Sequence, residues 1–347
     1  MSNSPLKRLR YASKGIVGPV ILLSVFLIIY EIMQPKFFSS LLMTQFLNGT
    51  VVVAVAAIGE AIVIISGGFD LSVGSTLSVI NCLLAVHLGQ STGGQILWIF
   101  IALVISGCMG LINGILIAIL KIPSIIATLA MSFFWGGVAL FILKQPGGNV
   151  SMSFSNWFSG NLTGGIPIVL PLLVITALIW TIIKRTKLGI SLYAFGGDRE
   201  AAVANGLKTK STILGAYTAA GFFYGIAGLF LTANTLSGDP NAGAPMMLTI
   251  FTAVVLGGIS LSGGRGDASA AIIGALILNA IFDVLYVLGV SSFYTSIFTG
   301  ALLIFALIAN VWGSRATEQI RSALRGFRSS SKTSTVTSDS TNNEVVA

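Results

Sequence analysis

Ten apolar runs, each about the length that crosses a bilayer, constrain this chain more than any other feature. They occupy residues 16–33, 43–66, 72–89, 96–119, 122–143, 166–183, 211–233, 246–262, 268–289 and 292–312. A helix needs about 17–25 mostly apolar residues to cross a hydrocarbon core of about 30 Å. Within that core each backbone N–H and C=O needs a partner from the protein, which favours helices. Only 9% of the residues are charged, against about 25% in an ordinary soluble domain. The sequence therefore predicts an all-α integral membrane protein of about ten transmembrane helices. The third and eighth runs are short and interrupted by glycine, so those spans are expected to be short or broken.

An even number of spans places both termini on one side. The basic residues test that arrangement, because Lys and Arg concentrate in cytoplasmic connections. Of 19 Lys and Arg, all but Lys36 and Lys144 fall on the same side of a ten-span arrangement, from Lys7, Arg8, Arg10 and Lys14 to Arg328 and Lys332. Both termini are thus expected in the cytoplasm. The net charge of +8 orients helices and faces anionic lipid heads, so no nucleic-acid partner is needed. The N-terminal apolar run is too long for a secretory signal and ends in no small-x-small cleavage site, so it reads as a retained first span. The organisation that follows is a basic segment over 1–15, a membrane domain over 16–313, and a Ser/Thr-rich tail over 314–347 that is expected to be disordered.

Metal and redox chemistry find little material. His87 is the only histidine, and Cys82 and Cys108 both lie inside apolar runs. No metal ligand set is predicted. Gly110 with Gly114, and Gly221 with Gly225, are four apart, so each pair shares one helix face and permits close helix packing.

The segment Leu261–Arg265, LSGGR, is similar to the signature of ATP-binding-cassette ATPases. A nucleotide-hydrolysing domain also needs a GxxxxGK[ST] loop after a strand, and this chain contains no Gly-Lys pair. Gly263, Gly264 and Gly266 then read as a tight turn between two spans, with Arg265 marking the inner face.

The connection 184–210 carries more information. Gly196-Gly197 makes a turn, Asp198 is a good N-cap and Gly206 a good C-cap. This predicts a helix of about nine residues, about 13 Å long, outside the bilayer. A short capped helix there can dock into a groove on another protein.

EAAVANG (Glu200 to Gly206) resembles the EAA-x-x-x-G loop of ATP-binding-cassette importer permeases. Five further blocks resemble the ribose, xylose and arabinose branch of that family: GGFDLSVGS (67–75), KIPSIIATL (121–129), the stretch from Thr186 to Gly206, AVVLGGISLSGGRG (253–266) and VLGVSSFY (287–294). The resemblance implies the permease subunit of an importer in the bacterial cytoplasmic (inner) membrane. Its solute would be a monosaccharide (a ribose-like pentose, a hexose or a related polyhydroxylated molecule). Gly196, Gly197, Asp198, Glu200, Ala201, Ala202 and Gly206 would couple to separate ATPase subunits, which use ATP and Mg. This chain would bind no cofactor. A periplasmic or lipid-anchored binding protein would deliver solute, and a second permease copy, identical or paralogous, would complete the pathway. Two positions depart from the pattern: Gly136 replaces a common Arg, and Met246, Met247 and Leu248 stand where the family carries an acidic group.

Several polar residues inside the runs are candidates for the pathway or its gate. Asp70, after Gly67-Gly68, reads as a helix N-cap or as a gating group. Glu60 and Asp283 lie within spans, where a charge costs at least about 2.5 kcal/mol, so each should face protein or a cavity. Asn48, Asn81, Asn113 and Asn279 could bond solute hydroxyls or bridge helices. Glu60 and Asp283 also raise the alternative of an ion-gradient-driven secondary transporter with a carboxylate relay and broken helices.

Overall fold

A computed structural model describes residues 5–308. The expected tail, 314–347, lies outside the described residues, as does the end of the tenth run. Contacts divide the chain into a unit of Met1–Leu303 and a second unit, Ile304–Ala347, of which residues 304–308 are described.

The described residues form helices joined by irregular connections, with only two isolated bridges, Gly147 with Gly238 and Asn161 with Pro167. In chain order the helices are α1 (Pro5–Met33), α2 (Ser40–Ile65), α3 (Val73–His87), α4 (Thr92–Ala118), α5 (Ser124–Ile142), α6 (Met152–Ser159), α7 (Val169–Arg185), α8 (Lys187–Gly197), α9 (Arg199–Ala204), α10 (Thr209–Thr235), α11 (Met246–Leu256) and α12 (Ala270–Val287). A further helical stretch covers Thr295–Ile308. Every predicted run coincides with helix, but the lengths differ. Among the described residues five helices, α2, α4, α5, α10 and α12, are long and apolar enough to cross a membrane unaided. The pair α7 and α8, bent by 76° at Thr186, makes a sixth if it is one broken span.

Local chemistry explains most ends. Ser39, Ser91, Ser151 and Thr186 cap α2, α4, α6 and α8 with side-chain oxygens. The eighth run, read as 246–262, is helical only to Leu256. Gly258, Gly263, Gly264 and Gly266 all take positive φ, which other residues rarely adopt, and the chain turns instead. The two runs predicted to be short hold short helices. α3 has 15 residues and α11 has 11, about 22 and 16 Å, and each is preceded by non-helical chain.

α2 is the centre of the bundle. Val51 to Ile65 are all buried, as expected for a helix apolar around its whole circumference. α10 lies against α2, α3 and α4, and glycines set its distance. A Cβ on Gly110 would sit 2.1 Å from the Tyr217 carbonyl oxygen, and one on Gly225 would sit 2.0 Å from Ser106 Oγ. Gly221 meets the Ser106 carbonyl oxygen from the other side. The four-residue spacing read from the sequence is therefore the α4–α10 contact. Gly107 is different: a Cβ there meets nothing within 4 Å.

This geometry predicts that Gly110→Ala and Gly225→Ala each destabilise the protein by about 1–3 kcal/mol through overpacking. Gly107→Ala should leave stability unchanged or raise it slightly. Thermal unfolding of the purified variants in detergent checks the contrast.

Candidate functional site

Three glycine pairs, far apart in sequence, meet at the end of the bundle that carries the 184–210 connection. Gly67-Gly68 follows α2, Gly196-Gly197 closes α8, and Gly263-Gly264 lies between α11 and α12. A Cβ on Gly196 would sit 1.9 Å from the Ile65 carbonyl oxygen, and one on Gly264 would sit 2.5 Å from Gly197 Cα. A Cβ on Gly263 would lie 3.2 Å from Gly67 Cα. The Gly264 N–H donates to the Ile65 carbonyl at 2.9 Å. Backbone therefore touches backbone at a three-way junction that leaves no room for a side chain at Gly196, Gly263 or Gly264. The sequence suggested turns at Gly196-Gly197 and Gly263-Gly264 separately, but not that they would meet each other and Gly67.

The junction positions α9. Asp198 caps it as predicted, accepting from the Ala201 N–H at 2.9 Å. Gly206, at φ +81°, ends it: the Gly206 N–H donates to the Val203 carbonyl and the Leu207 N–H to the Ala202 carbonyl. This is a Schellman closure. It stops the helix at Ala204, so α9 has six residues, not about nine. The residues before it, read as loop, form α8. Glu200, Ala201 and Val203 are exposed and Ala202 is buried, so α9 turns one small residue inward and presents the rest to solvent.

A polar staple beside the junction was not anticipated. Lys184, at the end of α7, forms an ion pair with Asp267. Trp180 Nε1 donates to Asp267 Oδ1 at 2.8 Å, and the Ser269 hydroxyl donates to the same oxygen at 2.9 Å. Burial alone would raise the Asp267 carboxyl, but Lys184, Trp180 and Ser269 together hold it below the ordinary carboxylate value. Tyr193 of α8 donates to the Gly266 carbonyl at 2.9 Å. Arg265 is exposed. A cavity of about 630 Å³ opens between α4, α8 and α10, and Lys121, Asp198, Arg199 and Lys210 are among its lining residues.

Further in, three predicted candidates share one buried network. Glu60, Asp70 and Asn113 are each at most 1% exposed. Tyr224 donates to Glu60 Oε2 at 2.8 Å, and the Asp70 N–H donates to Glu60 Oε1 at 3.2 Å. Asn113 Nδ2 donates to Ser72 Oγ at 2.8 Å and to both Asp70 oxygens at 3.3 Å. Asp70 is not the N-cap of α3. That position is Ser72, whose side chain makes no capping bond. Asp70 Oδ1 instead accepts from the Ser72 N–H at 3.0 Å and from its hydroxyl at 2.6 Å, which ties down the chain ahead of the helix. Thr128 receives the Leu71 N–H, and Tyr217 donates to the Phe69 carbonyl. These tyrosines and Thr128 were missed. Apart from their polar ends, they read as ordinary core residues.

The other candidates lie elsewhere. Asn279 Nδ2 donates to the Phe46 carbonyl at 3.3 Å and to Asp283 at 3.2 Å. Phe46 precedes Glu60 by 14 residues on α2, about 21 Å along the helix, so Glu60 and Asp283 do not form one relay. Asn81 bridges Thr232, the Ser237 carbonyl and the Asp239 N–H. Asn48 Nδ2 donates to the Ser159 carbonyl at 2.9 Å. All four asparagines thus tie elements together, and Oδ1 of Asn48 and of Asn113 is buried without a partner. Among the described residues, no three His, Cys, Asp or Glu are grouped to hold a metal.

Comparison with known proteins agrees with the sequence blocks. The profile of the branched-chain amino acid transport system / permease component family matches residues 42–307. The chain is 33% identical to the ribose import permease protein RbsC of Bacillus subtilis, over 84% of this chain and 91% of that protein. It is 30% identical to the fructose import permease protein FrcC of Rhizobium meliloti, over 85% and 84%. It is 28% identical to the galactose/methyl galactoside import permease protein MglC of Escherichia coli, over 86% and 94%. No solved structure matches.

Two predictions follow from the geometry. Gly196→Ala should disrupt the junction and lower stability by about 1–3 kcal/mol, whereas Gly197→Ala, whose Cβ meets nothing within 4 Å, should be tolerated. Thermal unfolding of the two variants tests this. The Asp267 carboxyl sits below its unfolded value, so its stabilising contribution is present above the ordinary carboxylate range and disappears as pH falls through the folded value. Asp267→Asn should cost about 1 kcal/mol at pH 7, since both partners are partly exposed. The difference from the unsubstituted chain should shrink in acid, read from unfolding curves across pH.

Proposed function

The chain belongs to the branched-chain amino acid transport system / permease component family, and from that premise we propose that it is the membrane subunit of an ATP-driven importer for a monosaccharide or similar polyhydroxylated solute. Ten crossings of the bacterial cytoplasmic membrane place both termini and the 184–210 connection in the cytoplasm. Two copies, identical or paralogous, enclose one pathway. A periplasmic or lipid-anchored binding protein delivers solute to the outer face. Separate ATPase subunits, using ATP and Mg, dock on α9.

The observation that carries this reading is the exposed, doubly capped α9 fixed to the turns of the transmembrane helices. A free loop would move under a partner's push without moving the bundle. Here the peptide units of Gly196 and Gly197 abut those of Ile65, Gly67 and Gly264. A displacement of α9 is therefore passed on to the chain leading to Asp70 and to the connection between α11 and α12. The sugar specificity of the relatives supports a sugar as solute. The LSGGR turn takes part through this junction, where Gly263 and Gly264 allow close approach, and has no nucleotide to hold.

The test is substitution of α9 at its exposed face and at its cap. Glu200→Lys and Gly206→Val should each lower ATP-dependent uptake about tenfold or more, equivalent to a loss of about 1.4 kcal/mol of coupling, while the chain still inserts in the membrane. If the ATPase subunits still bind and uptake is unchanged, α9 is not the coupling element. If uptake in vesicles follows a proton gradient and ignores ATP, the importer assignment itself fails.

A further inference from the structure

The connection from α10 to α11 carries non-helical backbone to the middle of the membrane. Its depth is fixed from both ends. On one side, the Asn149 N–H donates to the Ala85 carbonyl at 3.0 Å, and Gly238 also packs on Ala85, so Ala85 marks the level of the connections at that end. Gly74 lies 11 residues earlier on α3, about 16 Å deeper. Gly243 rests on Gly74: a Cβ there would sit 1.8 Å from the Gly74 carbonyl oxygen, and the Gly243 N–H donates to Ser78 Oγ at 3.0 Å. On the other side, the 11 residues of α11 span about 16 Å from Met246 to the turn at Gly257-Gly258. Both measures put residues 243–246 near the midpoint of a core about 30 Å thick.

This segment is not covered. Asn241, Ala244 and Pro245 are exposed, and Leu248 is 45% exposed. Hydrocarbon cannot lie there, because irregular backbone at membrane depth occurs only inside protein or against a water-filled cavity. We propose that this face, Asn241 to Leu248, lines the water-filled solute pathway. The inference rests on the importer reading and names the surface that its solute passes.

What the solute meets there is specific in chemistry. No side chain caps α11, whose N-cap is Pro245, and the first-turn N–H groups of a helix have no partner within it. The Met246 N–H is taken by the Gly243 carbonyl at 3.0 Å, and those of Met247 and Leu248 offer donors to hydroxyl oxygens. Around them stand Ala244, Met246, Met247 and Leu248, while the Asp239 carboxylate nearby is engaged by the Asn241 N–H at 2.8 Å, so the surface suits a neutral, hydroxyl-bearing solute. Of the two roles open to the asparagines, the structure shows them bridging elements, which leaves this stretch of backbone to meet the solute.

Cysteine accessibility tests the proposal. Cys108, which is exposed, is first replaced by Ser, leaving the buried Cys82. Ala244→Cys and Leu248→Cys are then compared with Leu178→Cys, on α7, where Leu178 is 53% exposed. The full chain in membrane vesicles is treated with a small, permanently charged thiosulfonate, and separately with an apolar maleimide. The charged reagent should modify Ala244→Cys and Leu248→Cys about tenfold or more faster than Leu178→Cys, since charge is excluded from hydrocarbon. The apolar maleimide should reach all three. If Ala244→Cys and Leu248→Cys react only with the apolar reagent, or with neither, the face is against lipid or sealed in a dry interface, and the proposal is overturned. ATP-dependent uptake without charged labelling at 244 sinks this inference and leaves the importer reading standing. Charged labelling at 244 with ATP-independent uptake does the reverse.

Discussion

Hydrocarbon supplies no hydrogen bonds, and the polar features of this chain are arranged around that fact. Glu60 and Asp70 are fully buried and would be costly alone. They are tolerated because Tyr224, Ser72 and Asn113 donate to them and because Asp70 lies between α2 and α3 while Glu60, in the last turns of α2, reaches its backbone N–H. Seven residues of non-helical backbone there need partners, and the network supplies them: Glu60 receives the Asp70 N–H, Thr128 the Leu71 N–H, Asp70 the Ser72 N–H, and the Phe69 carbonyl receives Tyr217. The acidic residues are thus tied to the broken span. Removing one of them leaves backbone unsatisfied as well as a side chain missing.

The same constraint explains the glycines. Helices in lipid gain little by burying apolar surface against each other, so they associate through close packing. α10 achieves it against α4 through Gly110, Gly221 and Gly225, and against α2 through Gly59, where a Cβ would sit 2.7 Å from the Tyr224 ring. Tyr224 is held by this contact as well as by Glu60. The helix packing and the polar network are therefore one arrangement, and a shift of α10 along α2 would disturb both.

The helical architecture and the place of the breaks were legible because periodicity, length and glycine content are local signals. The caps at Asp198 and Gly206 were legible for the same reason. The length of α9 was not, since the Schellman closure at Gly206 consumes residues that propensity alone leaves helical. The three-way glycine junction was out of reach because 196-197 and 263-264 each read as an ordinary turn and 67-68 only as the stretch before Asp70. Only the fold shows that the turns touch. The asparagines left two readings open. Their polarity inside apolar runs was a true signal that they must bond something, but it could not say whether the partner was a helix or a solute. Backbone at 241–248 carries no such signal, because a main-chain N–H is the same in every residue.

The junction and the exposed backbone lie at opposite ends of α11, and that placement bears on how the proposed cycle would work. α11 is a single helix of 11 residues, too short to bend within its length. Its lower end continues into Gly257, which packs on Ala270 and Ala271 of α12, and on through the turn to Gly263 and Gly264 against α8. Its upper end is the segment at mid-membrane. In the proposed cycle, a rigid rod joined at one end to α9 and at the other to the proposed pathway face would turn a push of a few ångströms into a movement of that face. The contact between Gly243 and Gly74 sets the limit of that movement, since the two carry no side chains to interlock. Backbone surfaces in contact can slide, whereas interdigitated leucines would have to unpack. The glycines that make the fold tight therefore also leave it one direction in which to move.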